Sequence, residues 1–182
     1  MVGPAAGRRP RSADPLNVRG HGNGGADLAT VARRYVSDID GATPKRMQVD
    51  EVSGRSIGFV QDYRVGDYPD FALLAPDPDS IGCDYVVGEP EWAGRGVGTR
   101  MLWAWLLDVV RTRPDARSCF AAPDHRNAAS LRVLDKLGFH RGLWFDEPDA
   151  SGTITTCIGC TVDLHRVVGE PAGNGGSGRM GP

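Results

Sequence analysis

Lysine is nearly missing from this 182-residue sequence: Lys45 and Lys136 stand against 19 arginines, a bias that reads as genomic. The formal net charge is −2, so the chain has no general basic field of the kind that holds nucleic acid. No nucleic-acid partner is expected, and a small molecule is the default. No run of about 18 apolar residues occurs, which argues against a transmembrane helix. The arginines near the N-terminus are not followed by an apolar stretch, which argues against an ordinary secretory signal. The expected location is therefore cytoplasmic, with no membrane partner, and the four cysteines (Cys83, Cys119, Cys157, Cys160) read as reduced, partly buried residues. Cys157-x-x-Cys160 lacks two further ligands at similar spacing. In a strand its side chains would also point to opposite faces, so it reads as packing and no metal is expected. The four histidines, His21, His125, His140 and His165, do not cluster with a nucleophile, so no hydrolase triad is present in the pattern. His125 reads as an exposed loop residue.

What the chain does have is glycine, 25 of them, and three alternate at Gly94, Gly96 and Gly98. They follow a β-rich stretch, Ile81 to Val87, and open directly into the apolar run Met101 to Val110. A strand that runs through such a turn into a helix aims consecutive backbone N–H groups at one spot, the geometry that holds a phosphate. Arg95 and Arg100 add positive charge beside it. A Walker loop would need Gly-Lys-Ser/Thr, which is absent. The Rossmann fingerprint needs a different glycine spacing, packed tightly after its strand. A glycine-rich loop that only caps a buried helix is the plain alternative.

Residues 1–26 are rich in Gly, Ala, Arg and Pro and poor in aliphatic side chains, so they are expected to be disordered. Asp27 can cap a helix running through Tyr35, which Gly41 to Pro44 would break. Arg46 to Val52 and Ser56 to Val65 read as a hairpin around Ser53-Gly54-Arg55. A long irregular loop is expected from Asp67 to Ser80, then the strand Ile81 to Val87. The helix from Gly98 to about Arg113, apolar nearly all round, stops at Pro114. Ser118 to Ala122 reads as a strand. Asn127 opens a helix that Gly138 ends. Gly142 to Asp146 and Thr153 to Asp163 read as strands joined by the turn Glu147 to Gly152. The tail 169–182 is expected to be flexible, which leaves one domain at 27–168.

Two motifs together carry a resemblance. Gly96-x-Gly98 fits the pyrophosphate loop Gln/Arg-x-x-Gly-x-Gly/Ala of the GNAT acetyltransferases, with Ala93 in place of the first residue. About 30 residues downstream, Asn127-Ala128-Ala129-Ser130 through Lys136-Leu137-Gly138-Phe139 resembles their second signature. The resemblance implies an α/β (α+β) GNAT acyl-CoA N-acyltransferase fold: a central mixed, mostly antiparallel sheet flanked by helices, here without the family's N-terminal strand and helix. It also implies acetyl-CoA as co-substrate. Val86 and Val87 would contact the pantetheine arm by backbone, Arg95, Gly96, Val97, Gly98 and Thr99 would hold the pyrophosphate, and Asn127 would touch the pantetheine.

Within that family the strand Ser56-Ile57-Gly58-Phe59-Val60-Gln61-Asp62-Tyr63 and the segment Ile81-Gly82-Cys83-Asp84 look like those of the aminoglycoside 6′-N-acetyltransferase branch. The likeness covers about residues 27–165. By it Gln61, Tyr63 and Asp84 line the acceptor site and the acceptor is polycationic. Asp84, in an otherwise apolar strand and two residues before the thioester contact, is the candidate for handling the amine; an aspartate hydrogen-bonded to a neighbouring strand is the other reading. Asp62, Asp67 and Asp70 are candidates for adding negative potential at the mouth, although each by itself reads first as a solvated loop charge. Two positions depart from the branch. Ala122, before Pro123, stands where its members carry an aspartate, and Leu134 where many carry a tyrosine that reprotonates the thiolate. Other amine acceptors, such as a hydroxylysine-type siderophore intermediate, and a non-catalytic acyl-CoA-binding domain remain open, as does the choice between monomer and homodimer.

Overall fold

Ser53 (φ 52°) and Gly54 (φ 75°) both take the left-handed backbone that a tight hairpin turn requires. They join β1 (Arg46–Val52) to β2 (Arg55–Arg64), with Val52 paired to Arg55. The computed structural model describes residues 36, 38, 40–88, 92–148 and 152–169. The expected segment 1–26, the helix from Asp27 through Tyr35, the family's N-terminal strand and the tail beyond Gly169 lie outside the described residues.

The remaining elements include the expected strands and helices in order, together with a 3-10 turn and two short helices that were not expected. They are a 3-10 turn Val65–Asp67, α1 (Pro69–Ala72), β3 (Ile81–Val87), α2 (Val97–Thr112), β4 (Ser118–Ala121), α3 (Ala128–Lys136), β5 (His140–Pro148), β6 (Ile154–Asp163) and α4 (Leu164–Val168). The sheet order is β1-β2-β3-β4-β6-β5. Every described pairing is antiparallel except β3 with β4, which gives the mixed, mostly antiparallel sheet expected. No helix among the described residues is long and apolar enough to cross a membrane.

Two expectations are corrected. The stretch from Asp67 to Ser80 is not wholly irregular: it holds the end of the 3-10 turn and α1, and its base is closed by Val65 N to Ser80 O at 3.0 Å and Gly66 N to Pro78 O at 2.7 Å. β5 runs on to Pro148, because Glu147 and Pro148 pair with Thr155 and Ile154 instead of turning. Helix α2, apolar nearly all round in sequence, buries one side of that surface and leaves apolar side chains on the other. Met101, Leu102, Trp105, Leu106 and Val109 are buried, whereas Trp103 and Leu107 are exposed.

Strand alternation divides the core. One face packs Val60, Ile81, Cys83, Cys119, Ala121, Ile158, Cys160 and Val162 against α2 and α3. The other carries a smaller cluster of Val65, Phe120, Ala122 and Cys157, with Tyr68, Leu74, Ala75 and Phe145 against it. Cys157 and Cys160 therefore pack in different clusters, as their spacing in a strand dictates. Asp62 is neither a solvated loop charge nor a residue at the mouth of the site, since it faces the helices. It accepts from Arg46 Nε (3.0 Å) and Nη2 (2.7 Å), Trp105 Nε1 (3.0 Å) and Arg113 Nη2 (3.0 Å) and is 1% exposed. A buried carboxylate needs that many donors to offset its lost hydration. The ion pairs tie β1, β2 and the C-terminal half of α2 together.

Candidate active site

β3 and β4 are parallel neighbours for only two positions, Ile81 with Cys119 and Gly82 with Phe120. Beyond them β3 continues to Val87 paired with β2 alone, so its other backbone edge opens into a wedge. An extended chain-like ligand can add to such an edge by main-chain hydrogen bonds. Val86 and Val87, the expected pantetheine contacts, lie half-buried in this open part.

The wedge leads to the glycine loop. Gly94 and Gly96 both have φ 75°, and a Cβ built on either would meet nothing within 4 Å. Gly96 is the N-cap of α2, no side chain caps that end, and the first turn holds no acidic residue. The first N–H groups of a helix have no partner inside it, so those of Val97, Gly98 and Thr99 face the open space beside Gly96. Arg95 and Arg100 are exposed there, and Arg100 Nη2 donates to Arg95 O at 3.4 Å. Just before the loop, Trp92 holds a buried indole Nε1 with no hydrogen-bond partner among the described residues. Open glycines, free N–H groups, flanking arginines and an orphan donor fit a pyrophosphate. Gly98 differs from the other two. Its built Cβ stands 3.5 Å from Val133 Cγ2 and 3.7 Å from Val87 Cγ2, an ordinary packing contact, so its place is helix packing.

Asn127 is the N-cap of α3, its Oδ1 accepting from Ser130 N at 3.0 Å. The cap leaves the Nδ2 amide to face a ligand. Sequence reasoning missed Tyr85 across the wedge, whose hydroxyl meets Ser130 Oγ at 2.5 Å. Burial lifts its pKa far above the ordinary phenol value despite that hydrogen bond, so it stays protonated. Leu134 points into the main core at 1% exposure.

The acceptor residues named from sequence meet on the face away from α2. Gln61 stands opposite Asp84 in the β2–β3 register, and Gln61 Nε2 donates to Asp84 Oδ2 at 2.8 Å. Tyr63, one pleat along, lies over Gly82: a Cβ there would stand 2.6 Å from Tyr63 Cε2, so only glycine lets the ring settle on the strand. Tyr68, which sequence reading left in a loop, packs edge-on against Tyr63 at 5.1 Å between centroids. Burial, then the charges of Asp38, Asp67 and Asp84, pushes the Tyr68 phenol up to about 12. Asp67 is exposed at the rim, and the side chain of Asp70 lies outside the described residues. Lys45 is buried against Asp38 at 3.6 Å and sits 6.0 Å from the centre of the Tyr68 ring.

Ala122 is 6% exposed within the small apolar cluster. Asp124 does not replace a carboxylate there, since it is held by Arg126 Nη2 at 2.9 Å and by Arg126 N at 2.8 Å. Arg126 keeps its carboxyl below the usual range. His125, expected to be exposed, is half-buried: its backbone N–H donates to Thr156 O at 3.0 Å and its ring lies 5.7 Å from that of Trp144.

The sequence model of a family described as an acetyltransferase (GNAT) domain matches residues 17–146. Two curated relatives, an aminoglycoside N(6′)-acetyltransferase type 1 from Klebsiella pneumoniae and one from Serratia marcescens, are each 25% identical over 136 residues. The match covers 74% of this chain and 63% of the relative. The chain thus spans less than two-thirds of the length of those relatives. Among solved structures, aminoglycoside acetyltransferase AAC(6′)-Ib in complex with coenzyme A and kanamycin aligns with a TM-score of 0.62 at 20% identity, over 77% of this chain and 80% of that one. AAC(6′)-Ib in complex with ribostamycin and coenzyme A aligns with a TM-score of 0.61 at 21% identity, over 75% and 74%. These alignments establish the fold.

Proposed function

Because this chain belongs to the GNAT acetyltransferase family, we propose that it transfers the acetyl group of acetyl-CoA to a primary amine of a small polycationic acceptor of the aminoglycoside type. The observation that carries this reading is the placement of Asp84, held by Gln61 on the open face of β3 beside the wedge that fits an acyl-CoA arm.

In this reading the N–H groups at the start of α2 bind the pyrophosphate, and the free edge of β3 near Val86 and Val87 takes the pantetheine as an added strand. A backbone N–H near Val86 polarises the thioester carbonyl. The neutral amine attacks the carbonyl carbon, the new C–N bond forms, and the C–S bond breaks. Asp84 takes the proton lost by the nitrogen, directly or through one water. The thiolate leaves and is protonated from solvent, since Leu134 offers no proton and Tyr85 holds its own.

Burial, then the charges of Asp38, Asp67 and Asp84, raises the Tyr68 pKa, and Lys45 is balanced by Asp38. That acidic wall supports a polycationic acceptor over an anionic or purely apolar one. The relatives named above are aminoglycoside acetyltransferases, and one of the similar structures holds kanamycin, which supports the same class. The test is release of coenzyme A thiol by the purified 182-residue chain, with acetyl-CoA and a panel of aminoglycosides, diamines and hydroxylysine derivatives. Release with an aminoglycoside that Asp84→Asn abolishes supports the proposal. Acetyl-CoA binding without release from any acceptor would make the chain an acyl-CoA-binding domain.

A further inference from the structure

The acceptor face holds a carboxylate that no motif points to. Glu147, near the end of edge strand β5, lies on the same side of the sheet as Phe145, which packs on the cluster of Val65, Phe120, Ala122 and Cys157. Glu147 Oε2 is 3.8 Å from Cys157 Sγ. It therefore overhangs the cluster containing Ala122, the position at which the branch's acidic residue is absent.

Tyr63 stands on the other side of that cluster. It touches the cluster through Tyr68 and is fixed over Gly82. Its side chain is 1% exposed. Burial, then the charge of Asp84, then Cys83 and Glu147, raises the pKa of that phenol. That phenol thus lies within the field of two carboxylates that come from opposite parts of the sheet.

We infer that Glu147 is a second cation anchor of the acceptor site, set across Tyr63 from Asp84, and that the acceptor presents two ammonium groups. One is acetylated beside Asp84 and one is held by Glu147, with the Tyr63 hydroxyl hydrogen-bonding to the acceptor between them. This assignment rests on the amine-acetyltransferase reading above and adds the specificity to it. A carboxylate lost at Ala122 is replaced in space by one from a different strand, which is why comparison of motifs does not find it.

The experiment compares the full chain with Glu147→Gln and Glu147→Asp, whose melting temperatures establish folding. Binding of kanamycin, and of 6-amino-6-deoxyglucose as an acceptor with a single ammonium, is measured by calorimetry with coenzyme A present. Thiol release is measured in parallel. Removing a charge-assisted contact lowers the preference of Glu147→Gln for kanamycin over the monoamine about tenfold or more, through Kd and KM with little change in kcat, and Glu147→Asp recovers most of it. An unchanged preference, equal losses for both sugars, or no binding of kanamycin to the unmodified chain overturns the assignment. The two readings separate cleanly. Acetyl transfer with an unaltered Glu147→Gln preference overturns the anchor alone. Weakened kanamycin binding by Glu147→Gln in a chain that releases no thiol sustains the anchor and removes the transfer reaction.

Discussion

Gln61 and Asp84 face each other across the β2–β3 register, and Gln61 Nε2 donates to Asp84 Oδ2 at 2.8 Å. Gln61 is 0% exposed, so its amide is held by packing and passes that rigidity to the carboxylate. A positioned general base contributes about 10²–10⁴-fold, so Asp84→Asn lowers kcat/KM for the amine by that order. The acetyl-CoA Kd, read by calorimetry, stays where it was, because the wedge and loop that bind it do not use Asp84. A loss of acetyl-CoA affinity in Asp84→Asn would place the residue in the cofactor site instead.

Gly96 and Gly98 give opposite results on substitution. Gly96 has φ 75° and open space above it, so Gly96→Ala carries about 1–2 kcal/mol of backbone strain and sets a methyl where a phosphate would sit. The acetyl-CoA Kd rises about tenfold or more. Gly98→Ala meets only Val133 and Val87 at ordinary contact distance, and its Kd stays close to that of the unmodified chain. Equal losses in the two variants would remove the distinction between them.

Much of this was legible in the sequence, and the exceptions share a cause. Gln61, Tyr63 and Asp84 meet on one face because strand alternation and hairpin register are local properties that a sequence displays. Asp62, between Gln61 and Tyr63, had to face the helices by the same alternation. Its partners Arg46, Trp105 and Arg113 come from two other elements, and that convergence is invisible in one strand. Tyr68 and Glu147 were missed for a similar reason. One sits in a stretch whose irregular pattern hides a short helix, and the other in residues that read as a turn but pair as strand.

Asp62 therefore tests fold and not chemistry. Asp62→Ala leaves Arg46, Arg113 and the Trp105 N–H around an empty centre, and removing one partner of a buried ion pair costs about 3–5 kcal/mol. Urea unfolding should show that loss, while KM for the amine in the folded fraction stays unchanged. A large shift in KM with normal stability would return Asp62 to the site.

Restoring the branch's aspartate at Ala122 fails for a packing reason. Ala122 is 6% exposed among Phe120, Val65 and Cys157, and burying a carboxylate there without a cation costs about 1–3 kcal/mol or more. Ala122→Asp lowers the melting temperature, and its acceptor affinity improves only if a polycation is bound to pay that cost. A variant as stable as the parent in the absence of any amine would mean that the cluster is open to water.

Asp50 and Asp108 give stability opposite dependences on pH. Asp50, on β1, has a buried Oδ2 with no hydrogen-bond partner among the described residues, and burial raises its pKa above the ordinary 3.8. Its native form thus holds a proton more tightly than the unfolded chain does. The stability this gives is complete below pH 3.8 and is lost as pH rises through the raised value. Asp108 is the reverse. Burial alone would raise it, but hydrogen bonds from Arg111, Gln48 and Arg46 prevail and lower its pKa. Its contribution is present above 3.8 and is lost as pH falls through the lowered value. Asp50→Asn should therefore stabilise the chain at neutral pH, a gain that closes in acid, whereas Asp108→Asn should weaken it at neutral pH and flatten its acid limb. Denaturant melts of both variants across the acid range read the two slopes directly, and parallel curves for Asp50→Asn and the parent would show that Asp50 reaches water in the folded protein.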